Sequence, residues 1–351
     1  MDRRKMYVWR SIVLCFLGLS ALVASGSLAF AHRGDEQRKV EQMRRMRWPT
    51  RYFAPYSNDA SSEIDLVALS RASGARFFTL AFVEGSKDKT CQATWNTRQP
   101  IGSWMRDNIA ALRARGGDVR VAFGGSANSE LATVCNTLPD LFAQYQATID
   151  AYGLSHLDFD IEGQTLKNSQ ATRLRNRAIA ALQRYAARAG RQLNISYTLP
   201  VETTGLGQSS LNLLRNAIQD GVRVDVVNLM IMDYYSKNAP GDQMGQNAIT
   251  AAGSVFRQLQ QLYPAKSADQ LWGMLGLTPM IGVNDHTREI FTLRDAQLVN
   301  NFAERQQMAL VSFWSIRRDR SCTTSQTAPH GCSGIDQQPY DYAQVFNAFG
   351  E

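Results

Sequence analysis

From residue 51 onward the chain alternates two kinds of segment. Short apolar runs give way to polar loops and then to longer stretches whose apolar positions recur at helical spacing. The runs are residues 51–56 (RYFAPY), 77–83 (FFTLAFV), 119–124 (VRVAFG), 157–161 (LDFDI), 194–199 (NISYTL), 224–232 (VDVVNLMIM), 271–277 (LWGMLGL) and 309–315 (ALVSFWS). Helices are predicted over 101–115, 138–152, 169–189 and 243–263, with a last one at 339–349. Eight strand–helix units predict an α/β fold, a (β/α)8 TIM barrel with its functional side chains at the C-terminal ends of the strands. An open doubly wound sheet would want a Gly-rich phosphate turn after its first strand. Tyr56-Ser57-Asn58-Asp59 stands there instead.

The segment before the first strand is patterned differently. Residues 2–10 are basic, 11–31 carry no charge, and Ala29-Phe30-Ala31 fits a small-x-small cleavage site. Residues 1–31 therefore read as an export signal, with an uncleaved membrane anchor as the alternative. Residues 32–48 form a charged linker, and 49–351 the folded body. The body is expected to be secreted or periplasmic, monomeric, and free of the membrane once the signal is cleaved. The formal charge of +7 lies mostly in the N-terminal segments, +3 in 1–31 and +3 in 32–48, leaving +1 for the body. With no net surplus, a nucleic-acid partner is not expected. Outside the signal, Cys91, Cys135, Cys322 and Cys332 remain, an even number suited to disulfides in an exported protein. In a barrel, Cys91 and Cys135 follow neighbouring strands onto one rim and are expected to pair. Cys322 and Cys332 then close a local loop after the eighth strand. With no CxxC and four histidines, no metal site is expected, and no cofactor is called for.

The chemistry concentrates in Ser155-His156-Leu157-Asp158-Phe159-Asp160-Ile161-Glu162-Gly163. Strand alternation puts Asp158, Asp160 and Glu162 on one face and Leu157, Phe159 and Ile161 on the other. The apolar set suits the helix layer, so three carboxyls point into the barrel and climb to its top. Neighbouring carboxylates in a desolvated site cannot all ionise cheaply, so at least one holds a proton near neutral pH, as a general acid requires. His156 shares Asp158's face and is expected to be a satisfied core histidine.

This row resembles the DxxDxDxE signature of glycoside hydrolase family 18, the chitinases and endo-β-N-acetylglucosaminidases, with Ser155 in place of the first Asp. Phe123-Gly124-Gly125-Ser126 after the third strand resembles the family's SxGG segment, with Ala122 in place of its Ser. Met230-Ile231-Met232-Asp233-Tyr234 resembles the Met-x-x-Asp-Tyr form of bacterial members, and Trp314 is placed like the family's subsite-floor Trp. The resemblance covers about residues 50–349. It implies cleavage of chitin or another N-acetylglucosamine-containing oligosaccharide with retention, through an oxazolinium ion formed by the substrate's own acetamido group. Glu162 would be the acid and base, Asp160 the orienting carboxylate, and Asp158 its deeper partner. Asp233 and Tyr234 would contact the acetamide, with Tyr235 competing for that role. Trp314, Met232, Tyr56, Gly124 and Gly125 would line the sugar site, and Trp95 and Trp104 are further aromatic candidates. The alternatives are an endo-β-N-acetylglucosaminidase acting on glycoprotein glycans and a weakly catalytic chitin-binding lectin.

Overall fold

A computed structural model describes residues 48–58, 64–102, 104–126, 129–236, 239–323 and 331–350. The export segment and most of the linker lie outside these residues.

Eight parallel strands close into a barrel. Strand β1 is formed by Tyr52–Phe53 and Tyr56–Ser57 together. It is followed by β2 (Phe77–Gly85), β3 (Asp118–Gly124), β4 (His156–Asp160), β5 (Asn194–Glu202), β6 (Val226–Met230), β7 (Leu275–Thr278) and β8 (Leu310–Val311). Each strand pairs with its sequence neighbours, and the two pieces of β1 close the ring, one on β8 and the other on β2. The main outer helices are α1 (Leu66–Ser73), α2 (Arg106–Ala114), α3 (Leu138–Tyr152), α4 (Ser169–Arg188), α5 (Gln208–Gln219), α6 (Met244–Leu262), α7 (Leu293–Arg305) and α8 (Asp341–Phe346). Local sequence sets their limits. The Thr137 hydroxyl accepts from Asp140 N at the start of α3, and left-handed Gly153 ends it. Thr292 and Asp295 form a capping box on α7.

The predicted barrel is the observed one, with displaced boundaries: the helix expected over 101–115 begins only at Arg106. The run at 271–277 does not begin as strand: Ala268–Trp272 is a short helix, started by a capping box between Ser267 and Gln270, and β7 follows it. The cap outweighs the apolar character of Leu271 and Trp272. Leu157, Phe159 and Ile161 pack into the large core between sheet and helices, as alternation requires. The Cys91–Cys135 and Cys322–Cys332 disulfides are both present. Among the described residues, no helix is long and apolar enough to cross a membrane.

Candidate active site

The inner face of β4 organises the site. At the lower level Asp158 is fully buried. Tyr56 Oη donates to its Oδ2 at 2.6 Å, and Thr198 Oγ1 and Ser196 Oγ both donate to its Oδ1. The guanidinium of Arg120, also fully buried, lies 3.8 Å from Oδ1. Arg120 is held by Thr79 Oγ1 at 2.7 Å and Ser196 Oγ at 3.0 Å. Asp158 is thus enclosed by a cation and three hydroxyls. Below it, His156 is wedged against Trp48, with ring centroids 4.3 Å apart, between Ser155 Oγ and the Asn194 amide. Burial, aided by Arg120, lowers its pKa to about 3, so it is neutral. Ser155, which replaces the motif's first Asp, belongs to this lower layer.

One level up, Asp160 and Glu162 line a pocket of about 290 Å³ at the top of the barrel. Burial, then the charges of Glu162 and Asp158, push the Asp160 carboxyl well above the carboxylate range. Its Oδ1 is buried without a hydrogen-bond partner among the described residues. Glu162 follows β4 at the start of a short helix, Gly163–Lys167. Its pKa is raised to about 7, first by burial and then by Asp233 and Asp285. The row therefore holds protons near neutrality for the reason expected, crowding in a desolvated site.

Tyr56, Met232, Asp233 and Trp314 also line the pocket. Trp314 stacks on Phe82, with centroids 5.6 Å apart, and the two rings form one wall.

Several expected residues do not line the pocket. The Tyr234 ring is buried in the large core, and its hydroxyl has no hydrogen-bond partner among the described residues. Tyr235 is 66% exposed, lies outside the lining, and its ring sits 4.7 Å from that of His286. The chain turns sharply after β6, with Asp233 and Tyr235 at positive φ, and this turn places Asp233 in the pocket and both tyrosines out of it. Gly124 and Gly125 support the wall from behind. A Cβ on Gly124 would come within 2.2 Å of the Asp160 carbonyl, and one on Gly125 within 2.8 Å of the Phe82 ring. Gly125 N also donates to that carbonyl at 3.0 Å, so the pair lets β3 approach β4 closely. Trp95 is fully buried against Trp104, away from the lining.

Sequence reasoning missed several contributors. A hairpin after β7, Gly282–Val283 with Ile290–Phe291, folds over the end of β6. Its Asp285 lines the pocket. Its buried Glu289 accepts from Tyr234 N at 3.0 Å and Tyr235 N at 2.9 Å, and His286 N donates to Asp233 Oδ1 at 2.8 Å. Arg318 lines the pocket and donates to the carbonyls of Ile281 and Val283, tying the hairpin's base to the segment after β8. Phe82 in the lining and Arg120 beneath it were missed as well. Arg120 left a legible sign, a lone charge inside the apolar run VRVAFG. The hairpin residues left none, because a polar loop reads alike wherever it folds. Among the described residues there is no group of three or more potential metal ligands.

The chain is similar to a probable bifunctional chitinase/lysozyme of Escherichia coli K12, at 36% identity over 311 residues, 86% of this chain and 35% of that protein. It is also similar to Endochitinase 11 of Metarhizium anisopliae, at 37% identity over 292 residues, 80% of this chain and 56% of that protein. It thus spans about a third and about half of the length of these curated relatives. No protein-family model matches the chain. Among solved structures, the catalytic domain of a hyperthermophilic chitinase from Pyrococcus furiosus superposes with a TM-score of 0.76 at 34% identity, covering 86% of this chain and 95% of that one. The GH18 chitinase ChiB of Flavobacterium johnsoniae, at 11% identity and a TM-score of 0.52, covers 86% of this chain and 94% of that one, and shares the fold. With the Asp158-x-Asp160-x-Glu162 row at the top of its barrel and identity of this level across almost the whole Pyrococcus domain, the chain belongs to glycoside hydrolase family 18.

Proposed function

We propose that the chain is a secreted chitinase that hydrolyses β-1,4-linked N-acetylglucosamine with retention, the substrate's acetamido group acting as nucleophile. The observation that carries this is the pairing of two unlike carboxyls in one pocket. Glu162 has a pKa raised to about 7, while Asp160, raised well above the usual carboxylate range, presents an unpartnered oxygen. Glu162 protonates the glycosidic oxygen as the bond to the anomeric carbon breaks. Asp160 takes the acetamido N–H and orients the carbonyl oxygen, which attacks the anomeric carbon and closes the oxazolinium ring. Water, deprotonated by Glu162, then opens that ring from the face the leaving group left. Asp158, enclosed by Tyr56, Ser196, Thr198 and Arg120, fixes the floor under Asp160. Trp314 and Phe82 give the sugar an apolar wall, and Asp233 is a polar contact in the same lining. The tyrosine contact implied by the resemblance is not assigned to Tyr234, whose hydroxyl is buried outside the lining. Residues 1–31 act as the export signal, and 32–48 link it to the catalytic body.

The test is hydrolysis of acetylated against fully deacetylated chito-oligosaccharides, with the anomer of the first product read by proton NMR. Cleavage of the acetylated series alone, with the β anomer released first, is expected. Comparable rates on both series, or release of the α anomer, would overturn substrate-assisted retention.

A further inference from the structure

The body's formal charge of +1 hides a strong separation. Between residues 163 and 219 there are eight Lys or Arg and one acid, Glu202, a surplus of seven. The rest of the body accordingly carries −6. One of the eight, Arg175, is buried in an ion pair with Glu130. The other seven are exposed.

Four of them form a single file. Arg173, Arg177, Arg184 and Arg188 lie on α4 at intervals of four, seven and four residues. At 100° and 1.5 Å per residue they fall within an arc of about 60° and span about 22 Å of the helix axis. Helix α4 contains no acidic residue. None of the four has an ion-pair or hydrogen-bond partner among the described residues. The acids exposed on neighbouring α3 are engaged locally: Asp140 accepts from the Thr137 hydroxyl and Asp150 from the Gln146 amide. A helix face meant only for solvent would ordinarily mix signs, because acids four residues from arginines stabilise it. This one forgoes those pairs along five turns.

We propose that the α4 arginine file is a docking surface for a linear, phosphate-bearing polyanion, separate from the catalytic pocket. The geometry favours a strand over a plane, since the charges follow one line on a convex helix. The file is all arginine, whose guanidinium groups grip phosphate oxygens through two parallel hydrogen bonds, as they also grip carboxylates, and the polygalacturonate comparison below separates the two. The rest of the body carries a net −6, which favours this flank for an anionic chain. A sum over the chain says nothing about where helices place its charges.

The test uses the full chain with linear inorganic polyphosphate as probe, followed by fluorescence anisotropy over a salt series. The basic residues of 1–48 are common to all variants, so wild type is expected to bind with a log–log salt slope about 3 units steeper than a variant lacking the file, as four arginine–phosphate contacts on a single strand imply. The variant carrying Gln at 173, 177, 184 and 188 should bind about 10- to 100-fold more weakly at low salt, with that shallower slope. A control carrying Gln at the exposed Arg71, Arg98, Arg115 and Arg305 removes the same charge elsewhere and should bind as wild type. Equal losses in both variants would reduce the effect to net charge and overturn the proposal. So would equal affinity for polygalacturonate, or retention on anionic vesicles without polyphosphate binding. Unchanged thermal melting of each variant shows that its fold is intact.

Discussion

Replacing Asp285 by Asn tests how the candidate acid is tuned. Glu162 rises from an ordinary 4.5 to about 7, a difference worth about 3 kcal/mol. Burial is the largest cause, followed by the charges of Asp233 and Asp285. Asp285 sits exposed on the hairpin turn, so solvent screens it. Its share is that of an exposed charge pair, about 0.2–1 kcal/mol, or about 0.1–0.7 pH units. Asn keeps the size and removes the charge. A general acid works only while protonated, so activity is lost as pH rises through its pKa. Lowering that pKa moves the alkaline limb of the kcat profile to lower pH by the same 0.1–0.7 units or so. Salt should shrink the gap between wild type and variant, because it already screens Asp285 in the wild type. The assay is kcat on a chromogenic chito-oligosaccharide across the neutral range, at low and high ionic strength. A limb that stays in place at low salt, or that moves to higher pH, would refute the tuning by Asp285.

Glu162→Gln should lower hydrolysis by about 10²–10⁴ while oligosaccharide binding, followed by calorimetry, is kept. The same variant should also flatten the pH dependence of stability. In wild type the folded state holds the Glu162 proton up to about pH 7 and the unfolded state only to 4.5, so stability falls as pH rises through that window, by at most about 3 kcal/mol. Denaturant titrations at either end of the window would show it, and identical slopes in both proteins would count against the raised pKa. Arg120→Met leaves Asp158 buried without its cation and should cost about 3–5 kcal/mol in urea unfolding. Adding Asp158→Asn to that variant should restore part of the loss, and strictly additive losses would show that the two are not coupled. Replacing Cys91 and Cys135 by Ser opens a loop of 44 residues and should cost about 4 kcal/mol, read as a lower unfolding midpoint.

The barrel and its carboxylate row were legible in the sequence because both rest on local periodicity. Alternation along residues 157–161 separates the core side chains from the acids whatever surrounds the strand, and the caps at Thr137 and Thr292 stop helices by contacts within four residues. The disulfides followed once the barrel put two loops on one rim. The sequence could not reveal what depends on distant segments meeting. Asp285, His286 and Glu289 matter because a hairpin after β7 folds across the end of β6, some fifty residues earlier. That contact, with the positive φ at Asp233, turns Asp233 inward and buries Tyr234, which motif matching alone would place in the pocket. Gly124 and Gly125 were read as substrate contacts, but the distance of β3 from β4 makes them spacers behind the wall. The body's charge of +1 hides the arginine file, because a sum ignores where helix spacing and the packing of α4 place each charge. Periodicity specifies which face of an element is apolar; which elements then come together is a property of the closed barrel.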